Sequence, residues 1–166
     1  MPNKVLHINS IGDLERLAKL IASKLGIGDI IGLYGNMGVG KTEFTRQLLG
    51  VLGFSLSEFS SPTYAIQNTY FRDSTPISIV HHFDLYRITG EGYALVLESL
   101  RDRNSIAIVE WPQNDPELER DITLSLFISR EESVISDSVR EIRLQGNKSV
   151  VDELQSEYLK LAIQAK

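Results

Sequence analysis

The sequence predicts an α/β fold of three layers, a mixed parallel and antiparallel sheet flanked by helices. Two patterns carry that expectation. Segments with apolar residues at helical spacing alternate with short continuous apolar runs, the composition of strands buried on both faces. Later in the chain, two segments alternate apolar and polar residues, as antiparallel strands with one covered face do.

The elements follow in order. Ser10 is placed to cap a helix, with Asp13 three residues on in a weak capping box. Leu14, Leu17, Ile21 and Leu25 recur at helical spacing, and Gly26 and Gly28 stop the helix. Asp29 leads into Ile30, Ile31, Gly32, Leu33 and Tyr34, a buried strand. Gly35 to Gly40 is a loop, and a helix from Lys41 carries Phe44, Leu48, Leu49 and Leu52 and closes near Gly53. Serine-rich Phe54 to Ser61 reads as loop, Ala65 to Phe71 as strand, and Arg72 to Pro76 as turn. Ile77, Ile79 and Val80 predict another strand, leading to His81-His82-Phe83-Asp84-Leu85-Tyr86-Arg87. Gly90 to Leu100 is helical, and Asn104 turns the chain into Ile106 to Val109, the most strand-like run present. Ile122 to Ile128 alternates, with Val139 to Leu144 as its antiparallel partner. In the tail, Val151, Leu154, Tyr158 and Leu161 mark an amphipathic helix over about 149–165 packed on the body. At 166 residues the chain, 1–166, reads as one domain.

Composition removes several classes of function. With no cysteine there is no disulfide framework, thiolate zinc site, iron–sulfur cluster or cysteine nucleophile. A net charge of −5 argues against a protein that grips nucleic acid by itself, because such affinity comes largely from neutralising phosphates. Arg101 to Arg103, interrupted by Asp102, reads as a solvated loop rather than a binding patch. No apolar run is long enough to span a bilayer, and Met1 to Ser10 has no basic region followed by an apolar block. The expectation is a cytoplasmic protein with no membrane association.

Gly35-Asn36-Met37-Gly38-Val39-Gly40-Lys41-Thr42 fits the phosphate-binding pattern G-x-x-x-x-G-K-[ST]. Glycines let the backbone curl round phosphates with its N–H groups pointing inward, and the helix starting near Lys41 adds its positive end. Lys41 is expected to reach the β- and γ-phosphates, and the Thr42 hydroxyl to ligate one magnesium ion, a hard cation that takes oxygen. An apolar strand before the loop and a helix after it supply the context this motif requires.

Hydrolysis or transfer needs in addition an acid at a neighbouring strand end, to hold the metal or orient water. Glu110 leads, since it follows Ile106 to Val109 at the carboxyl edge where α/β sheets put ligands. Asp84 is second. Which of the two serves metal and which serves water stays open. Trp111 beside Glu110 reads either as a cover for the nucleotide or as packing. His82 reads as hydrogen-bonded structure before it reads as a base. Thr63, after Ser61-Pro62, lies in a polar loop that could close over a γ-phosphate or be an ordinary turn threonine.

Guanine specificity is not expected: Asn147-Lys148-Ser149 is followed by Val150 rather than aspartate, and Asp84-Leu85-Tyr86-Arg87 lacks the switch glycine. A small-molecule kinase would want an arginine-bearing lid. Arg101, Arg103, Arg130 and Arg140 are present, but no segment reads as one. Four ordered motifs, Gly35 to Thr42, Ser61-Pro62-Thr63-Tyr64, His82 to Arg87 and Val109-Glu110-Trp111-Pro112, instead resemble the TsaE (YjeE-like) family from about Ser10 to Gly146. These are small P-loop ATPases needed to make threonylcarbamoyladenosine at position 37 of tRNAs.

The resemblance implies a P-loop NTPase-like fold and a set of roles. Met37, Gly38, Val39, Gly40, Lys41 and Thr42 would hold the triphosphate of ATP, and Thr42 and Glu110 would ligate Mg2+. Lys41, Thr63, Asp84 and Glu110 would be catalytic, with Tyr86 and Arg87 completing the Asp84 segment. Arg140 and Ile11 would lie by the adenine. TsaD and TsaB are the implied partners, with tRNA met through their complex rather than directly. The ATPase would be weak alone, stimulated by the partners, and would reset that complex between turnovers. Asn36 and Met37 stand where the family usually has aspartate and leucine, in a stretch that works through backbone N–H groups. The segments between Tyr70 and His82 and between Phe127 and Val139 look longer than the family's. The other readings are a small-molecule kinase and a nucleotide-switched binding module.

Overall fold

Seven strands form one sheet in a computed structural model that describes residues 5–130 and 139–164. Four are parallel in the middle: β6 (Leu124–Arg130), β2 (Ile30–Tyr34), β5 (Ser105–Glu110) and β4 (Ile79–Asp84). The edges are antiparallel: β3 (Gln67–Phe71) on β4, β7 (Arg140–Gly146) on β6, and β1 (Val5–Ile8) on β7. This is the expected mixed sheet, and the alternating segments at Ile122 to Ile128 and Val139 to Leu144 do pair.

Alternation along each strand makes two cores. On one face Ile31, Leu33, Ile106, Ile108, Leu126 and Ile142 pack under α1 (Ile11–Ala22), α2 (Lys41–Val51) and α4 (Lys148–Gln164). On the other, Ile30, Phe83, Ala107 and Val109 pack with Val96 of α3 (Gly92–Ser99). β5 is buried along its whole length, which is why it reads as an unbroken apolar run.

Several boundaries differ from the sequence expectation. Ser10 does cap α1, its Oγ accepting from Asp13 N at 3.1 Å. Asp13 Oδ2, however, accepts from Asn9 N at 3.0 Å, so the reciprocal bond falls one residue before the cap. Helix α1 ends at Ala22, and Leu25 packs from the turn beyond it. β4 begins at Ile79 and carries its pairing through to Asp84. In α4, Leu154 and Tyr158 are buried but Leu161 is 38% exposed, so the apolar stripe ends a turn early. Tyr158 Oη donates to His7 O at 3.0 Å and Lys24 pairs with Glu153 at 2.6 Å, tying α4 to β1 and to the turn after α1. The longer stretch anticipated before Val139 falls at 131–138, outside the described residues, as does the helix end expected at 165.

Candidate functional site

The glycine-rich loop joins β2 to α2, so both its ends are fixed by buried elements. Gly35 has φ +142°, and a Cβ there would stand 2.3 Å from Ile128 O and 2.8 Å from Val39 Cγ2. Only glycine lets the loop run this close to β6. Gly40, at φ +112°, closes the loop in the left-handed region and starts the helix. Two arginines from the β6–β7 end hold loop carbonyls: Arg140 Nε donates to Val39 O at 2.7 Å and Arg130 Nη2 to Gly38 O at 3.3 Å.

Lys41 folds back over the loop, Nζ donating to Gly35 O at 2.7 Å and Asn36 O at 2.9 Å. It is 4% exposed and its ammonium lies 4.1 Å from the centre of the Trp111 ring. Burial pushes this amine below the ordinary lysine value, and the carboxylates of Glu110 and Asp84 pull it part of the way back. Trp111 holds φ +59°, a conformation that costs a non-glycine residue about 1–3 kcal/mol. Its N–H is anchored on Leu33 O at 3.2 Å.

Register explains how the acids meet. Asp84 and Glu110 are paired residues at the ends of adjacent parallel strands. Both are nearly buried, at 5% and 3% exposure. Glu110 Oε1 accepts from Thr42 Oγ1 at 2.8 Å and lies 2.9 Å from His82 Nε2. Asp84 Oδ2 accepts from Thr63 Oγ1 at 3.0 Å, and Oδ1 accepts from Tyr86 N at 2.9 Å. The Thr63 turn is closed by Ile66 N on Pro62 O at 2.6 Å, with Ile66 at φ +69°, and Asp84 N donates to Ile66 O at 2.9 Å. A β-branched residue at that φ is a strained outlier, held by these two bonds.

Two adjoining cavities result. One, of about 260 Å³, is lined by Met37, Gly38, Gly40, Lys41, Thr42, Thr63, Asp84, Tyr86, Glu110 and Trp111. The other, of about 180 Å³ and mostly apolar, lies between Ile8, Ile11, Val39, Gly40, Arg140 and Ile142. The first thus gathers the residues read as phosphate-, metal- and water-facing except Val39, which lines the second together with the two read as adenine-facing, Ile11 and Arg140. Gly40 borders both. Among the described residues no three His, Cys, Asp or Glu side chains gather to hold a metal by themselves. Thr42 and Glu110 offer a hydroxyl and a carboxylate side by side, the sparse oxygen set magnesium takes when phosphates complete its shell. His82, read from the sequence as hydrogen-bonded structure before a base, is buried with Nε2 on the Glu110 carboxylate. It lies two positions before Asp84, on the same face of β4, and is the diagonal neighbour of Glu110.

Residues 8–141 match the family model described as threonylcarbamoyl adenosine biosynthesis protein TsaE. A Borreliella burgdorferi protein of that name, tRNA threonylcarbamoyladenosine biosynthesis protein TsaE, is 40% identical over 112 residues, 66% of this chain and 78% of that one. A Rickettsia felis protein of the same name is 33% identical over 111 residues, 66% of this chain and 63% of that one. The crystal structure of Bacillus subtilis YdiB superposes with a TM-score of 0.64 over 96% of this chain and 95% of that one, at 23% identity, which establishes the likeness of fold. Among the described residues no helix is long and apolar enough to cross a membrane.

Proposed function

The chain belongs to the TsaE family, and from that premise we propose that it binds ATP with one magnesium ion in the two cavities and hydrolyses it in the service of threonylcarbamoylation of adenosine 37 in tRNAs, together with TsaD and TsaB. The observation that carries this reading is the convergence of Lys41, Thr42, Thr63, Asp84 and Glu110 on one small cavity beneath the glycine loop.

The triphosphate lies along the loop, its oxygens taken up by backbone N–H groups and the N-terminal end of α2. Lys41 exchanges its bonds to Gly35 O and Asn36 O for phosphate oxygens. The adenine enters the apolar cavity between Ile11 and Arg140. Thr42 and Glu110, joined at 2.8 Å, are the residues that would hold the metal. Magnesium, when bound, neutralises charge on the β- and γ-oxygens. That assignment leaves Asp84 for water: held by Thr63 and Tyr86 N, it orients the attacking molecule in line with the γ-phosphate. Lys41, covered by Trp111 and largely shut from solvent, stabilises the charge that moves to the leaving oxygen.

The sheet that unites the described residues supports reading 1–166 as one ATPase domain, and the reading sets its work in the cytoplasm, meeting tRNA through the TsaD–TsaB complex. The test is ATP hydrolysis by the protein alone and with TsaD–TsaB, following tRNA modification over several turnovers. Stimulation by the partners, with the protein required after the first turnover, is the expected result. Hydrolysis unchanged by the partners would overturn the assignment of role. Phosphate transfer to an acceptor without partners would favour a kinase, and binding without turnover a nucleotide-switched module.

A further inference from the structure

We propose that His82 is a positioning residue for Glu110, fixing its carboxylate from inside the core in the orientation that lets it share magnesium with Thr42. This rests on the reading of Glu110 as a metal-holding group given above.

His82 is fully buried, and Glu110 is 3% exposed. The ring meets the carboxylate at 2.9 Å, Nε2 to Oε1. A carboxylate can only accept here, so the proton sits on Nε2 and the ring donates. Nδ1 has no partner among the described residues, which fits the same tautomer: a buried acceptor left unpaired is better tolerated than a buried N–H. Phe59 lies nearly parallel to the ring, at 8° and 6.2 Å between centres, and limits its rotation.

Thr42 Oγ1 donates to the same carboxylate oxygen. Oε1 therefore takes two hydrogen bonds, one from α2 and one from β4, while Oε2 takes none from a described residue. A glutamate has three side-chain torsions to lose. Two bonds on one oxygen remove that freedom and leave the second oxygen uncommitted. The Thr42 hydroxyl, with its hydrogen directed at Glu110, turns its lone pairs away from the carboxylate. Each feature suits a shared cation more than a base that must take up a proton.

The test measures ATP affinity by calorimetric titration of the full chain, once with EDTA and once with excess Mg2+. The ratio of the two affinities is the magnesium-dependent gain. His82→Leu should lower that gain about tenfold, the usual order of loss when an outer partner of a metal-holding group is removed. Its affinity in EDTA should stay within about twofold of wild type, because the loop is untouched. His82→Gln, which restores a donor of similar reach, should keep most of the gain, and His82→Asn, one methylene shorter, should lose it. If His82→Leu does not fold, the Gln and Asn pair carries the comparison. Equal gains in Gln and Asn, or a wild-type gain in Leu, would overturn the proposal and make His82 a packing residue. Glu110→Gln separates the layers: if it loses the gain while the His82 variants keep it, only the positioning role falls. If Glu110→Gln keeps the full gain, Glu110 does not serve the metal and both statements fall.

Discussion

Replacing Gly35 with alanine tests the loop's seat against β6. Two costs add. A side chain at φ +142° meets an unfavourable backbone conformation, worth about 1–2 kcal/mol. The new Cβ would also stand 2.3 Å from Ile128 O, a backbone atom at the end of β6 that cannot rotate aside. The loop must therefore retreat by roughly 1 Å, and overpacking of this kind adds about 1–3 kcal/mol. The sum is about 3 kcal/mol, which in a chain of this size lowers Tm by about 6–12 °C. Gly28→Ala is the matched control: φ is +87°, with nothing within 4 Å of the added methyl. It carries only the backbone cost, about 1 kcal/mol or 2–4 °C. The loop's retreat also moves the N–H groups proposed to face the phosphates, and a misplacement of about 1 Å is expected to cost on the order of 100-fold in turnover. Scanning calorimetry on the three proteins, followed by hydrolysis with the partners, gives both readings. Equal Tm losses for the two variants would refute the close approach at Ile128.

Lys41→Ala should weaken ATP binding by at least about tenfold, since it removes the one cation that lines the cavity beneath the glycine loop among the described residues; an unchanged titration would remove the loop from nucleotide binding. Glu110→Gln should spare ATP affinity more than partner-stimulated hydrolysis, which should fall by on the order of 100-fold, and full turnover would take Glu110 out of the mechanism. Ser10→Ala should cost about 1 kcal/mol of stability through loss of the α1 cap, checked by urea unfolding. His81 supplies a pH dependence. Burial holds its imidazole below the ordinary 6.5, only partly offset by Asp102 Oδ2 at 3.2 Å, with Gln67 and Thr69 on Nδ1. The unfolded chain then takes up a proton before the folded one does, so this stability is full above pH 6.5 and is lost as pH falls through the lower folded value. Urea midpoints of His81→Gln should decline less steeply below pH 6.5 than those of wild type; parallel declines would refute the assignment.

The glycine loop between β2 and α2 was legible because its glycines, lysine and threonine lie within eight residues and their geometry is local. The place of Glu110 at the end of β5 was legible for a related reason, since an unbroken apolar strand has a foreseeable end. β1 was missed because four residues give too few periods to count, and its partner β7 lies at the other end of the chain. The early end of α1 was missed because Leu25 keeps helical spacing while packing from a turn, so periodicity alone did not separate the two. The bond between His82 and Glu110 depends on the register of β4 against β5, which no local pattern encodes. What could have flagged it is parity: His82 and Asp84 are two apart on a strand and so share a face, the one from which Glu110 also projects.

The chain contains a single tryptophan, and that residue stands on the ammonium of Lys41. Any ligand that draws Lys41 off the Gly35 and Asn36 carbonyls changes the charge and polarity against the indole ring. Every photon of tryptophan emission therefore comes from the lip of the cavity beneath the glycine loop, with no second indole to dilute the signal. The protein is spectroscopically self-labelled: nucleotide titrations and stopped-flow traces can be read on the unmodified chain, at the atom cluster where the chemistry is proposed to occur.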